Sequence, residues 1–303
     1  NFLILNGVRQ TVFLNIIATF AKVIPLILFI IIMIIVFDYD KFTFNFWGKI
    51  AIDGKTLSSI PEQIKSTMLV TLWTFIGIET ATVLSSRAKN KRIVGMSTLV
   101  GFFICLAIYI LLSILPFGFL SQNELAVIKD PSTAGILEKV LGKYGSWIMN
   151  GGVLIAVLSC WLSWTLILVE TPLSMAKDGT FPKFFKNKNK NDTPYVSTYI
   201  TSMLMQIGII AVFFADNAWR LLLSITGVMV LPAYLVSAIY LLKISIKKEY
   251  SKRLPIKRST MLFTSIFACI FALWLIYSAG LKYLMMAIIF FILGIPVFLF
   301  SKK

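Results

Sequence analysis

Eight apolar runs, each close to the length needed to cross a bilayer, constrain this chain more than any other feature of its sequence. They lie near residues 12–37, 67–85, 94–117, 146–170, 195–215, 219–242, 260–279 and 282–300. About 20 mostly apolar residues span a hydrocarbon core as a helix. Within lipid every backbone N–H and C=O needs a partner inside the protein, so such runs must fold as helices. The expected fold class is an all-α membrane protein with about eight transmembrane helices, organised as a single transmembrane domain over residues 1–303. Composition agrees, with 58% hydrophobic and 14% charged residues, where soluble domains carry roughly 45–50% and about 25%. A soluble enzyme is not expected on that ground. The links at Asp216–Ala218 and at Gly280–Leu281 are so short that the runs they join should pair as antiparallel hairpins.

The formal charge of +16 invites a nucleic-acid partner, but its distribution argues against one. A basic nucleic-acid domain gathers its cations on one folded face, whereas here they fall between the apolar runs. Alternate loops differ sharply. One set, around Arg9, 87–92, 177–190, 243–258 and 302–303, holds 19 cations and three acids; the other holds 9 cations and 8 acids. By the positive-inside rule the first set is cytoplasmic, which places both ends of the chain inside a cell membrane. Binding of anionic lipid by the 243–258 loop is the alternative to simple topology control.

No signal peptide is visible, because the first apolar run exceeds an h-region in length and no small-residue cleavage site follows it. The chain begins at Asn1 rather than methionine, and Phe2 to Leu5 read like the tail of an earlier element. An N-terminally incomplete chain is therefore expected. Cys105, Cys160 and Cys269 all fall inside apolar runs without paired or metal-like spacing, and read as packing residues. Histidine is absent, which removes the usual proton shuttle. No metal or cofactor is expected.

Three ionisable residues remain at membrane depth: Lys22, Glu79 and Glu170. A charge there is costly unless it faces a cavity or a partner, so such residues mark solute pathways. Glu170 precedes Thr171 and Pro172 close to an expected helix end, where it either reaches interfacial water or takes part in coupling. Lys22 sits between Phe20 and Pro25, too deep to snorkel, and serves either as a bridge to another helix or in coupling. Glu79 is the most telling. In FIGIET, Gly77 has no Cβ, Ile78 and Thr80 are β-branched, and Thr74 and Thr82 offer hydroxyls, which suits a helix that unwinds to line a cavity. A kinked but continuous packing helix is the competing reading. Among the tryptophans, Trp47, Trp147 and Trp219 sit beside loops, as in an interfacial belt. Trp73 and Trp164 lie deeper, and Trp161 shares an i, i+3 face with Trp164. Ring faces at that depth can hold a cationic ligand, an interaction worth roughly 2 kcal/mol when desolvated.

The segment TLWTFIGIETATVLSSRAKNKR, followed about 70 residues later by WTLILVETPLSMAKDGTFPKFF, resembles the basic amino acid and polyamine antiporter group of the amino acid/polyamine/organocation superfamily. The WxFIGIE core is shared by the wider group. The SSRAK string and the AKDGTFPKFF loop are more particular to bacterial arginine/ornithine antiporters. The resemblance runs the full length of the chain, from the family's fifth helix through its twelfth. It implies a C-terminal portion, helices 5–12, of a twelve-helix LeuT-type inverted-repeat transporter.

Carried over position by position, Trp73 resembles the sixth-helix aromatic that caps the bound side chain, and Ile76 and Gly77 fall in the unwound substrate-contacting stretch. Glu79 matches the sixth-helix glutamate on the inner side of the site. Trp164 resembles the eighth-helix tryptophan of the side-chain pocket. Lys22 matches a fifth-helix lysine that stands where sodium-coupled members bind an ion. Thr226 to Met229 approach the pocket from the tenth helix, but Met229 stands where arginine/agmatine relatives carry an aromatic lid. The resemblance implies exchange of cationic amino acids by alternating access, arginine entering as ornithine leaves, with no covalent chemistry. A proton-coupled lysine or arginine permease and an inactive membrane scaffold are the alternatives. The partners it implies are arginine, ornithine or lysine as substrate and membrane lipid, with a homodimer left open.

Overall fold

The computed structural model describes residues 2–5, 8–42, 50–52, 55–57, 60–81, 91–129, 131–214, 218–248 and 257–301. Arg87, Lys89, Lys252, Arg253, Trp47 and Thr82, which the sequence singled out, lie outside them. The described chain is almost wholly helical: α1 (Phe2–Leu5), α2 (Val8–Ile35), α3 (Ile60–Phe75), α4 (Lys91–Ile114), α5 (Gln122–Ala126), α6 (Ser132–Leu141), α7 (Lys143–Lys177), α8 (Tyr195–Phe213), α9 (Ala218–Lys247), α10 (Arg258–Ala279) and α11 (Leu281–Ser301). The exception to an all-α fold is a ribbon of β1 (Ile50–Ile52) against β2 (Lys55–Leu57), antiparallel with Ala51 opposite Thr56. It falls between two apolar runs, where the β-branched Ile50, Ile52 and Thr56 favour a short strand pair.

Among the described residues six helices are long and apolar enough to cross a membrane: Ile16–Ile35, Ile93–Gly118, Lys143–Lys177, Leu222–Lys247, Arg258–Ala279 and Leu281–Leu299. The other two expected runs hold shorter elements, the apolar helix Tyr195–Ile210 and α3, which stops at Phe75. From Ile93 to Ile114 no side chain of α4 is buried, and Phe20, Phe103 and Phe267 stand among many exposed large apolar residues. A surface of that kind suits hydrocarbon rather than water. It also corrects the reading of the cysteines. Cys105 and Cys160 are exposed on helix faces rather than packed inside, because an outward apolar position in a membrane helix needs no core.

By its contacts the chain divides into two compact units, 1–46 with 78–206 and 301–303, and 47–77 with 207–300. In the first, α2 and α7 run antiparallel. Phe29 and Met33 share a core cluster with Met149, Pro25 lies against Gly152, and Ile4 of α1 packs with Leu166 and Val169. The same core takes in Leu120, Ala134, Ile136 and Leu137 from the segment before α7. That segment is held by local caps. The Ser121 hydroxyl and backbone are bonded to Glu124 in a capping box, and hydrogen bonds from Ser121 hold the Glu124 carboxyl below its ordinary range. Lys139 lies 3.9 Å from the same carboxylate.

In the second unit, α3 packs against α9 and α10, with Met68, Leu69 and Leu72 on a core of Val228, Leu231, Leu275, Ala279 and Ala287. Arg258 at the start of α10 donates to the carbonyls of Ser245 (3.1 Å) and Ile246 (3.3 Å), closing the end of α9. Gly280, at φ +79, turns α10 directly into α11, as the expected hairpin requires.

The α2–α7 crossing depends on a missing side chain. A Cβ at Gly152 would come within 2.5 Å of Pro25 Cγ, whereas at Gly151 it would meet nothing within 4 Å. Gly152→Ala should therefore lose about 1–3 kcal/mol of stability by overpacking. Gly151→Ala should be neutral or slightly stabilising. Thermal unfolding of both variants in the same detergent checks the pair, and equal melting shifts would show that the crossing tolerates the methyl.

Candidate functional site

Helix α3 ends at Phe75, and residues 76–79 form turns before the chain resumes helical backbone at Thr80 and Ala81. The interruption falls where the FIGIET string placed it. Gly77 adopts φ +117, a region that a side chain would make strained. The Ile76 N–H donates to the carbonyl of Trp73 at 3.2 Å and the Ala81 N–H to that of Ile78 at 3.3 Å, so the α-helical ladder gives way to tighter local turns. Upstream, the Thr71 hydroxyl donates to the Thr67 carbonyl and that of Thr74 to the Thr71 carbonyl, at 3.1 and 2.7 Å. These back-bonds compete with the ladder and suit a helix that stops. Glu79 is half-buried in the turn, with Thr80 next to it.

The expected site residues fall in both units. Trp73, Ile76, Gly77 and Met229 belong to one, and Lys22, Glu79, Trp164 and Glu170 to the other. Within the first of these groups, Met229 packs on the core that receives Met68, Leu69 and Leu72 of α3, so it is tied to the helix carrying Trp73. Trp73 itself is exposed, with 36% of its surface open.

Within the other group, α2 carries Lys22 and α7 carries Trp164 and Glu170. Both Lys22 and Trp164 are half-buried, and Trp161, one turn before Trp164, is exposed. Helical rise of about 1.5 Å per residue puts Lys22 roughly 5 Å from the Pro25–Gly152 crossing and Trp164 roughly 18 Å from it along α7. The antiparallel pair therefore holds the lysine and the tryptophan at different depths. Among the described residues Lys22 forms no ion pair.

Glu170 differs from its sequence expectation. Helix α7 does not end near Thr171–Pro172 but runs on to Lys177, and Glu170 is 6% exposed. It does not reach interfacial water through its own helix end. The Thr171 hydroxyl donates to the Ile167 carbonyl at 2.8 Å, one residue before the Leu168 carbonyl that Pro172 leaves without its helical N–H. Among the described residues no three histidine, cysteine, aspartate or glutamate side chains gather as a metal site.

Membrane-length helices with lipid-suited faces, together with a shorter helix interrupted at a glycine beside a carboxylate, define a polytopic membrane protein. The chain belongs to the amino acid permease family, whose model matches residues 1–301, within the amino acid/polyamine/organocation superfamily. It is 52% identical over 304 residues to an arginine/agmatine antiporter of Chlamydia felis, 53% over 304 to that of Chlamydia abortus and 52% over 304 to that of Chlamydia pneumoniae. Each alignment takes in 100% of this chain and 63% of the relative. The chain thus spans a little under two thirds of the length of these relatives, which fit the basic amino acid antiporter group.

Gly77 is the backbone position on which the break turns. Holding a non-glycine residue at its φ costs roughly 1–3 kcal/mol. Gly77→Ala should insert at normal abundance yet lose most of the function that the break supports. Wild-type transport by Gly77→Ala would show that the turn relaxes without consequence.

Proposed function

We propose that the protein exchanges cationic amino acids across the cell membrane by alternating access, with both ends of this chain on the cytoplasmic side. The observation that carries the reading is the helix break at Gly77 beside Glu79, in a chain of the amino acid permease family. A turn at such a break, with a carboxylate next to it, can replace part of the hydration of an ammonium or guanidinium head. Trp73 and Trp164 supply ring faces for the cationic end, Ile76 and Met229 supply apolar walls, and Glu79, Lys22 and Glu170 take part in coupling and gating. The eight apolar runs correspond to the family's helices 5–12, α3 being the first half of the broken sixth.

Arginine is the common substrate in this reading. The names of the Chlamydia relatives favour agmatine as the counter-substrate, while the SSRAK and AKDGTFPKFF strings favour ornithine. A lysine amine at position 22 occupies the place of a coupling cation, so exchange is independent of sodium.

Radiolabelled arginine uptake by the complete gene product in proteoliposomes tests this. Uptake should appear only when arginine, agmatine or ornithine is loaded inside, and the faster counter-substrate identifies the pair. Uptake into empty vesicles driven by a pH gradient, or a steep sodium requirement, would overturn exchange.

Two sets of variants localise the site. Glu79→Gln should cut exchange strongly with insertion intact. Trp164→Leu should weaken arginine affinity by about 1–2 kcal/mol and Trp164→Phe by less, if the ring face holds the cation. Equal losses for the two tryptophan variants would assign Trp164 to packing.

A further inference from the structure

The loop between α7 and α8 is organised around Asn189. Its side-chain Oδ1 accepts from the backbone N–H groups of Asn191 (2.9 Å) and Thr193 (3.0 Å). Its own N–H donates to the Thr193 carbonyl at 2.8 Å, and its carbonyl accepts from Asp192 at 3.1 Å. Lys188 Nζ closes the turn on the Asp192 carboxylate at 2.6 Å, with Asp192 at φ +58. Built this way, the loop presents three side-chain donors, and all three reach the end of α1, far away in sequence. Asn189 Nδ2 and Asn191 Nδ2 donate to the Leu5 carbonyl at 2.9 and 3.0 Å, and the buried Thr193 hydroxyl donates to the Ile4 carbonyl at 3.0 Å. Ile4 is fully buried against Leu166 and Val169, the latter next to Glu170.

We propose that this loop is an inner latch: Asn189, Asn191 and Thr193 are positioning residues that hold the chain entering α2 against the inner end of α7, with Ile4 as its plug. The inference rests on the exchange reading and on the cytoplasmic placement of this loop. The chemistry fits a contact that must open. The last carbonyls of a helix have no partner in their own ladder and accept equally from a side chain or from water. The three donors are uncharged, so releasing them near an interface strands no buried charge. Closed, the latch keeps Ile4 packed beside the residue that precedes Glu170. Open, it admits water to that end of α7. A ligand-driven cycle needs such a two-state element, with each state favoured by a modest margin.

Two nearly isosteric variants of the complete gene product separate the latch from the loop's own fold. Asn189→Asp keeps the Oδ1 acceptor that organises the turn and removes the donor to Leu5. Thr193→Val removes the hydroxyl that donates to Ile4, together with its longer 3.4 Å bond to the Asn191 carbonyl, and leaves the backbone bonds of the turn in place. In oriented proteoliposomes each should lower the apparent KM for arginine at the inner face and raise it at the outer face, in opposite directions by about threefold to tenfold. A second readout needs no transport: Leu166→Cys in a background lacking Cys105, Cys160 and Cys269 should react faster with an impermeant thiol reagent applied inside when Asn189→Asp is added. Failure of exchange in the parent protein would overturn the proposed function and leave this labelling result to judge the latch. Equal KM changes at both faces, or unchanged labelling, would show the loop to be a static support.

Discussion

The constraint on which the rest of the structure depends is that backbone polar groups in hydrocarbon must be satisfied by the protein itself. It makes the apolar runs helical, and it makes any interruption of a helix at that depth informative. Helix α3 stops at Phe75, four turn residues follow, and Gly77 takes φ +117. Lipid alone would not allow that backbone to persist. It needs protein groups or a polar cavity around it, which is why a break and a carboxylate at positions 77 and 79 belong together. The prolines tell the opposite story. Pro25, Pro172, Pro232 and Pro296 all lie inside continuous helices, so here the loss of one N–H does less to interrupt a membrane helix than the combination of glycine and flanking β-branched residues.

Much of this could be read from the residues. The apolar runs announced helices, and FIGIET announced the break, because both follow from local chemistry: hydropathy over about 20 residues, and a glycine without Cβ among poor helix formers. Glu170 was harder. Thr171 and Pro172 look like a helix end, yet α7 continues to Lys177, because in hydrocarbon stopping a helix leaves more backbone groups without partners than one proline does. Burial of Glu170 is a tertiary fact with no local signature. The ribbon at 50–57 and the outward-facing cysteines were likewise hidden, the first by its brevity and the second because lipid accepts a thiol as readily as a core does.

The contacts of the loop at 187–193 were illegible for a different reason. KNKNKND reads as a solvated basic turn, and by composition that is all it is. Its asparagines and threonine acquire meaning only from partners more than 180 residues earlier, the Ile4 and Leu5 carbonyls. Periodicity and spacing carry no trace of such pairs. They are found only when the question of where the last carbonyls of a short helix obtain their hydrogen bonds is pursued to an answer.

The antiparallel pair of α2 and α7 gives these features a common frame. Along it lie, in order, the Phe29, Met33 and Met149 core, the Pro25–Gly152 crossing and the contact of Ile4 with Leu166 and Val169. The first two are apolar and closely packed, with no room for a methyl at Gly152, and such contacts resist sliding. The last depends on three neutral hydrogen bonds and one apolar plug. On the latch proposal stiffness is unevenly distributed, the pair being fixed near the segment capped by Ser121 and Glu124 and released at its Glu170 end. A carrier that alternates access needs that kind of gradient, since motion confined to one end of a helix pair can admit water there without loosening the core at the other.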